Sequence, residues 1–384
     1  MRTFVRSALL LTVLTTAIAC SSTPAPSDFN GGGNGGDPAS GNNGGGSFGS
    51  GSNGSSGSSG ASGGTGSIAD TPSCDGSLSG NAAEDFARAM GICTSADKDG
   101  YGLVSAKFSR GYNRNDEPKV QQHSILSKFG AAITPREGGQ LVALSTGYAQ
   151  EFDGPGQAPF GGDSIDGTNG IDWWGASHSS GNGTAPPGFP KPAAGCPIDS
   201  NVNDTVNLVL QLKAPDGATG FKFDFDFYSG EWPAYVCSRF NDGFVAYLES
   251  KATHDNISFD KNNAPVSVNN GFFDRCTPGM TTGCESGGGG TSTSQCPGGP
   301  GELAGTGFGI IDQWCPTTSK QSTNGGATGW LTSQAPVDSG ETFTLQLMIW
   351  DTGDGVLDSS ILLDNFKWLG GAPVQTGTDR STPH

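Results

Sequence analysis

The segment at residues 221–227 constrains the fold of this chain more than any other. Phenylalanine occupies every second position from Phe221 to Phe227, with lysine or aspartate between the rings. Successive side chains of a β-strand point to opposite faces, so the pattern places four rings on one face of a strand, which no helix would do. The chain therefore needs a sheet and a second layer that covers these rings.

Two further segments repeat this period. Val206–Leu212 and Phe343–Ile349 both alternate apolar with mostly polar residues, as half-buried strands do. Residues 359–368 are instead apolar on both faces, which is typical of a strand in the middle of a sandwich.

In that last strand, strict alternation predicts two groups of apolar side chains on opposite faces. One group is Ile361 and Leu363, and the other is Leu362, Phe366 and Trp368.

The overall pattern predicts a mostly β protein. Many short alternating segments, little helical periodicity and abundant turn residues (64 glycines and 23 prolines) favour an antiparallel β-sandwich, jelly-roll-like, with one or two short helices and long loops. One helix is predicted after Asn81, which would cap it with Glu84 as its capping-box partner.

Composition divides the chain into four parts. Residues 20–70 contain too few apolar side chains to offset the entropy of ordering and are predicted to be a disordered tether. The predicted parts are a signal peptide (1–19), the tether (20–70), a β-sandwich domain (71–370, with long loops or insertions at 151–203 and 276–325) and a disordered tail (371–384).

The N-terminus has the pattern of an export signal. Arg2 and Arg6 precede an apolar stretch that is too short to span a bilayer, and the small residues Ala17 and Ala19 precede Cys20. The end of this segment resembles a bacterial lipobox, which implies lipidation of Cys20 and anchoring to the outer membrane through the lipid. A plain secretory signal or an uncleaved anchor is the alternative.

Eight cysteines follow Cys20, and an even number in an exported chain favours disulfide bonds. We expect one bond between Cys74 and Cys93 and two bonds within residues 276–315. A zinc site is the less favoured alternative, because there is no CxxC pair and the four histidines are scattered. The candidates are Cys74, Cys93, Cys196, Cys237, Cys276, Cys284, Cys296 and Cys315.

The chain is acidic, with a formal charge of −17 that becomes −19 once Arg2 and Arg6 are removed. Such a charge repels nucleic acid, so no nucleic-acid partner is expected. It suits an exported domain and leaves carboxylates for cations, although solubility alone would also account for it.

An acidic loop joins the last two predicted core strands. Asp351, Asp354 and Asp358 lie in it, and Gly353 and Gly355 allow the backbone to turn tightly. Three carboxylates in one loop suggest a metal ion.

Three segments together resemble the choice-of-anchor L domain of bacterial surface proteins. They are Phe227–Phe244, which contains Glu231-Trp232-Pro233 and Asn241-Asp242, then Pro265–Asn270, then the acidic loop from Trp350 to Ser359. The resemblance spans about residues 80–370. It implies an extracellular β-rich module with an adhesion-like role and no known reaction.

If these residues bind a cofactor, calcium suits them, because it takes six to eight oxygen ligands. Glu231, Asn241 and Asp242 would join Asp351, Asp354 and Asp358 if the sheets bring the two segments together. The alternative is that the loop residues only form a turn and that Glu231 and Asp242 bind buried backbone groups, and the lack of a full EF-hand or repeat-type calcium pattern slightly favours it.

Other functions are less favoured by the sequence. Gly162–Ile165 looks like the start of an esterase motif, without a matching downstream histidine, and no Gly-x-Ser-x-Gly elbow occurs. The many acidic pairs also leave glycoside cleavage open. We expect no enzyme, and a hydrolase, either an esterase or a glycosidase, is the alternative. A glycan or a surface protein is the expected ligand. Sugar-stacking candidates are Trp173, Trp174, Trp232 and Trp314, and a weaker oxygen cluster lies at Asp166, Asn169 and Asp172.

Overall fold

Two antiparallel sheets pack face to face, with two short helices at their side, which confirms the predicted sandwich. The computed structural model of the chain describes residues 66–67, 73–76, 78–150, 182–269, 271–285, 290–315, 320–355 and 357–381. The predicted signal peptide and nearly all of the tether lie outside these residues.

The helices are α1 (Ala83–Ala89) and α2 (Ala96–Asp99), with single 3-10 turns at Val120–Gln122 and Gly301–Leu303. The strands in chain order are β1 (Gly66–Ser67), β2 (Gly102–Ser109), β3 (His123–Leu126), β4 (Leu141–Ser145), β5 (Val202–Lys213), β6 (Ala218–Ser229), β7 (Gly243–Glu249), β8 (His254–Asn256), β9 (Val266–Ser267), β10 (Thr281–Thr282), β11 (Ser292–Thr293), β12 (Ile310–Cys315), β13 (Lys320–Asn324), β14 (Gly326–Ala327), β15 (Leu331–Ala335), β16 (Thr342–Thr352), β17 (Ser359–Gly370) and β18 (Gly377–Arg380).

Each layer is named here by its two central strands. The β6–β17 sheet has the order β18-β15-β6-β17-β4-β3, with β1 beside β17 and β14 beside β6. The β5–β16 sheet has the order β2-β5-β16-β7-β8, with β9 beside β7. Two small hairpins, β10–β11 and β12–β13, lie within the predicted insertion at 276–325, so that segment is partly ordered into strands.

The main core lies between the two sheets. All four phenylalanines of β6 are fully buried there, as the sequence predicts, and so are the alternating apolar residues of β5 and β16. The rings bridge the layers directly: Phe221 stacks on Phe343 with ring centroids 5.3 Å apart, and Phe225 packs on Phe244 at 5.1 Å. Burial of these rings is the largest favourable contribution to the fold.

A second apolar cluster covers the outer face of the β6–β17 sheet. Tyr228 and Leu362 project from that face and pack with Phe129, Leu303 and Phe308 from the connecting segments. This cover explains why β17 is apolar on both faces.

The predicted faces of β17 are wrong for two of its residues. Phe366 and Trp368 lie in the main core together with Ile361 and Leu363, not on the opposite face with Leu362. The register of β17 against β6 shifts between Asp364 and Lys367, where the backbone takes a positive φ. A β-bulge inserts one extra residue, and this moves every later side chain to the other face.

Two other local predictions differ from the structure. Residues 377–380 of the predicted disordered tail form β18, which pairs with β15 and satisfies the backbone groups of what would otherwise be an open edge. Asn81 does not cap α1: the helix begins after Ala82 without a side-chain cap, and the carboxylate of Asp85 instead binds the backbone N–H of Ser79.

Disulfide bonds join Cys74 to Cys93, Cys196 to Cys237 and Cys276 to Cys296. The first bond agrees with the prediction and closes the chain around α1. The second ties the segment before β5 to the segment between β6 and β7, a pairing that sequence spacing did not indicate. Cys284 is disulfide-bonded as well.

No helix among the described residues has the length and apolar character needed to cross a bilayer.

Removal of one core ring tests the importance of this layer contact. Phe225→Ala should lower the free energy of unfolding by about 3–5 kcal/mol, because it leaves a cavity between fully buried neighbours. The control Val104→Ala, at a side chain that is 42 % exposed, should change it by less than about 0.5 kcal/mol. Urea unfolding measures both, and equal effects would contradict the proposed core.

The buried carboxyl group of Asp226, in β6, leads to a second prediction, which concerns how the stability of the fold depends on pH. Burial, and then the charge of Glu302, raises the pKa of Asp226 to about 7. Between about pH 4 and pH 7 the unfolded chain loses this proton while the folded chain keeps it, so stability falls as the pH rises.

Asp226→Asn should therefore flatten the decline in unfolding free energy over this range, by at most about 1.4 kcal/mol per pH unit. Urea unfolding at several pH values measures this slope. Asp216→Asn, at an exposed turn residue, should keep the wild-type slope. The same slope in the Asp226→Asn protein and the wild type would refute the assignment.

Candidate functional site

Strand register brings several acidic residues together at one end of the sandwich. Trp350 of β16 pairs with Gly243 of β7, directly after Asp242, and Asp351 pairs with Asn203 of β5, directly before Asp204. In the other sheet, the first residue of β17 pairs with the last residue of β6. The ends of five core strands thus meet where the acidic loop joins β16 to β17.

Five carboxylates are buried at this end, and we call them the carboxylate cluster. Each side chain belongs to a residue that is at most 2 % exposed, and the members are Asp204, Glu231, Asp242, Asp351 and Asp358. Burial of so many carboxylates is costly unless protons, hydrogen bonds or cations compensate for their charge.

Asp242 accepts hydrogen bonds from groups at the end of β16 and at the start of β17. Its Oδ1 accepts a hydrogen bond from the backbone N–H of Thr352 at 3.0 Å, and its Oδ2 accepts one from the hydroxyl of Ser359 at 2.8 Å. Asp242 therefore joins the end of β16 to the start of β17, across the two sheets.

Glu231 contacts the backbone of Asp242. The backbone N–H of Asp242 donates to its Oε2 at 3.4 Å, and the backbone N–H of Glu231 itself donates to the hydroxyl of Ser229. The alternative reading of the sequence, in which Glu231 and Asp242 bind backbone groups, thus describes part of their role.

Asp351 differs from the other members in its hydrogen bonding. Its residue is 1 % exposed, and neither carboxylate oxygen has a partner with full hydrogen-bond geometry in the described part of the protein. The nearest polar groups are the Asp242 carboxyl and the Thr146 hydroxyl, which itself donates to the carbonyl of Ser359. A buried acceptor without a donor is rare in folded proteins, so this side chain needs a specific explanation.

The electrostatics of the cluster are mutually repulsive. Burial, followed by the charges of Asp242, Asp204 and Asp358, raises the pKa of Asp351 well above its usual value, against a small opposing effect of the Thr146 hydroxyl. Burial, followed by the charge of Asp242, likewise raises the pKa of Glu231.

For Asp242 itself, burial raises the pKa to about 8, while its bonds to Thr352 and Ser359 and a hydrogen bond with the Asp351 carboxyl act in the opposite direction. Without a bound cation, Asp242 therefore holds a proton at neutral pH.

Glycines leave room for two of the carboxylates. A Cβ atom on Gly147 would lie 1.9 Å from Oδ2 of Asp358, and one on Gly355 would lie 2.3 Å from Oδ2 of Asp204. Any larger residue at either position would displace the carboxylate.

Of the six predicted metal ligands, four lie in the cluster and two do not. Asn241 points its side-chain oxygen at the backbone N–H of Asn269, and Asp354 is exposed at the rim, where its charge still raises the pKa of Glu231. Asp204 was missed by the sequence analysis. No specific signal marks it, because a single aspartate ahead of an alternating segment such as Val206–Leu212 is common.

Within the described residues, no group of three or more His, Cys, Asp or Glu side chains is arranged to hold a metal ion. The reason lies in the orientation of the acids, since Asp242 is directed at Thr352 and Ser359, and Glu231 at the backbone of Asp242. Calcium binding thus remains a prediction. The described residues contain no preformed cage of carboxylates that would support it.

Other predicted site residues lie elsewhere. Gly162–Ile165, the oxygen cluster at residues 166–172, and the tryptophans at 173 and 174 fall outside the described residues. Trp232 stacks on Phe273 with ring centroids 4.8 Å apart and packs against the main core, which gives it a structural role.

Comparison with known proteins adds the family of the central segment. Residues 195–367 match the family model of the choice-of-anchor L domain, so the chain carries such a domain there. The match runs from just before β5 to within β17 and contains every member of the carboxylate cluster. It is shorter than the resemblance at about 80–370. β2, β3 and β4, which complete one edge of each sheet, precede the matched residues. No curated protein and no solved structure matches the chain.

The junction made by Asp242 is open to a direct test. Asp242→Ala should lower the free energy of unfolding by about 2–4 kcal/mol, because the N–H of Thr352 and the hydroxyl of Ser359 lose their buried acceptor. Thermal and urea unfolding give the value. Asp216→Ala, on the exposed turn after β5, is the control, and an equally small effect for both variants would show that the junction contributes nothing.

Proposed function

We propose that this protein is a lipid-anchored protein of the bacterial envelope whose β-sandwich is a non-catalytic binding or adhesion module. The observation that carries the proposal is the choice-of-anchor L domain at residues 195–367, in a chain whose first 19 residues have the sequence pattern of an export signal before Cys20. The lipid on Cys20 would be the membrane attachment, and the tether at 20–70 would separate the sandwich from the bilayer.

The disulfide bonds support an exported location. Cys196–Cys237 and Cys276–Cys296 close segments that connect strands, and such bonds persist in oxidising compartments.

The burial of the acidic residues supports a binding role over catalysis. Glycoside hydrolysis needs two carboxyl groups that reach a substrate, whereas every member of the carboxylate cluster is at most 2 % exposed. A substrate would reach these groups only if strand ends separated. The cluster is therefore better suited to hold the end of the sandwich together.

The irregular segments at that end are the best candidates for the binding surface. The segment before β5 and the segment from Gly230 to Asp242 are joined by Cys196–Cys237, and Arg239 lies over the ring of Phe240 with 4.6 Å between its guanidinium carbon and the ring centroid. Connecting segments on a rigid scaffold commonly carry recognition, so a glycan or a surface protein is the proposed ligand here.

Metabolic labelling with a radioactive fatty acid tests the anchor. The wild-type protein should carry label and partition with membranes, and Cys20→Ala should abolish both, because no other group would be acylated. The paired variant Cys74→Ala/Cys93→Ala, which removes two cysteines of the domain, should keep the label.

Protease treatment of intact cells then separates the two possible faces of the outer membrane. Loss of the sandwich from intact cells would support an adhesion role at the surface. Label that persists in Cys20→Ala, or a wild-type protein found only in the soluble fraction, would overturn the proposed anchor.

A further inference from the structure

The groups that act most strongly on three members of the carboxylate cluster carry no positive charge. The strongest electrostatic effects on Glu231, Asp242 and Asp351 come from other carboxylates, and no described lysine, arginine or histidine is among them. Like charges that are buried together destabilise the fold unless a positive group neutralises them. The cluster therefore calls for a positive partner from outside the chain, either protons or a cation.

The hydrogen bonds show which oxygens remain available to such a partner. Both oxygens of Asp242 accept bonds, from Thr352 and Ser359, so this residue is committed to the fold. By geometry, neither oxygen of Asp351 has a hydrogen-bond partner among the described residues, although the residue is 1 % exposed. Its near neighbours are the Asp242 carboxyl and the Thr146 hydroxyl, and that hydroxyl donates to the carbonyl of Ser359.

The surroundings of Asp351 determine which cation would suit it. The groups that act on its carboxylate are the carboxylates of Asp242, Asp204 and Asp358 and the hydroxyl of Thr146. All of them offer oxygen atoms as metal ligands. Oxygen ligands without nitrogen or sulfur select hard cations. Magnesium usually keeps several waters, so a buried site with protein oxygens on several sides favours the larger calcium ion.

We propose that Asp351, with one neighbouring carboxylate from Asp204 or Asp358, binds a single calcium ion at the junction of β16 and β17. Backbone carbonyl oxygens and water complete the coordination, as in many calcium sites. Two protein carboxylates suffice for such a site, which reconciles it with the absence of a three-carboxylate cage among the described residues. The proposal is independent of the lipid anchor and of any ligand of the sandwich.

The ion would hold the acidic loop at the end of the sandwich. Asp351 is the second-last residue of β16, Asp358 precedes β17, and Asp204 lies near the start of β5. A cation between two of these groups would join the strand ends of the two sheets. Calcium would then control whether this end of the domain stays closed.

Melting of the purified protein tests the site. In 2 mM CaCl2 the Tm should be about 5 °C higher than in EDTA at equal ionic strength, because a ligand that binds only the folded state stabilises it by mass action. The same concentration of MgCl2 should give a much smaller rise. Identical melting in CaCl2 and EDTA would overturn the proposal, and an equal response to magnesium would overturn the assignment to calcium.

Asp351→Asn is the decisive variant, because it keeps the shape of the side chain and removes one of several repelling charges. Its Tm in EDTA should equal or exceed that of the wild type, and most of the rise with CaCl2 should disappear. Asp216→Asn removes the same charge from the exposed turn after β5 and should keep the full rise. A full rise in Asp351→Asn would show that calcium acts elsewhere and would refute the site.

Calorimetric titration with CaCl2 provides a second readout that does not depend on melting. The wild type should bind one ion per chain with measurable heat, and Asp351→Asn should show no binding. If Asp351 only shares a proton with Asp242, neither protein will bind calcium, and the cluster is then a set of protonated structural acids.

Discussion

Contact between the phenyl rings of β6 and the apolar sides of β16 and β7 is the interaction on which the rest of the structure depends. Phe221 meets Phe343 and Phe225 meets Phe244 across the two layers. These contacts fix the distance between the sheets and decide which face of each strand is inward. Once they are set, the position of every residue at the strand ends follows from strand register.

Register is what converts this core into a site. β16 pairs with β5 on one side and with β7 on the other, so that Asp351 lies beside the start of β5 while Asp242 precedes β7. Asp242 then reaches Ser359 at the start of β17 in the opposite sheet. Residues separated by more than a hundred positions thus share one buried volume, and none of them needs a special local motif.

Much of the fold could be predicted because period-2 alternation reports directly on a strand with one buried face. The faces of Phe366 and Trp368 could not, because a β-bulge at Asn365 depends on tertiary pairing and leaves no clear mark in the pattern. The strand at Gly377–Arg380 was missed for a related reason: its few polar residues order only because β15 offers an open edge.

The site was predicted in part for the same physical reasons. The acidic loop and Glu231 and Asp242 are visible as residues, but their convergence depends on which strands are neighbours. Asp204 could not be recognised, since a single aspartate before a strand is common, and its positive φ appears only in the folded backbone. Asn241 and Asp354 were expected as ligands because they lie next to the other acidic residues in the sequence. Neither joins the cluster, since sequence proximity does not show where a side chain points.

The central claim is that the sandwich buries a carboxylate, Asp351, for a cation to neutralise. Long-wavelength anomalous diffraction from crystals grown in calcium tests this most directly. We expect one anomalous peak about 2.3–2.6 Å from an oxygen of Asp351. An Asp351 carboxyl group that only shares a hydrogen bond with Asp242, with no peak beside it, would contradict the claim.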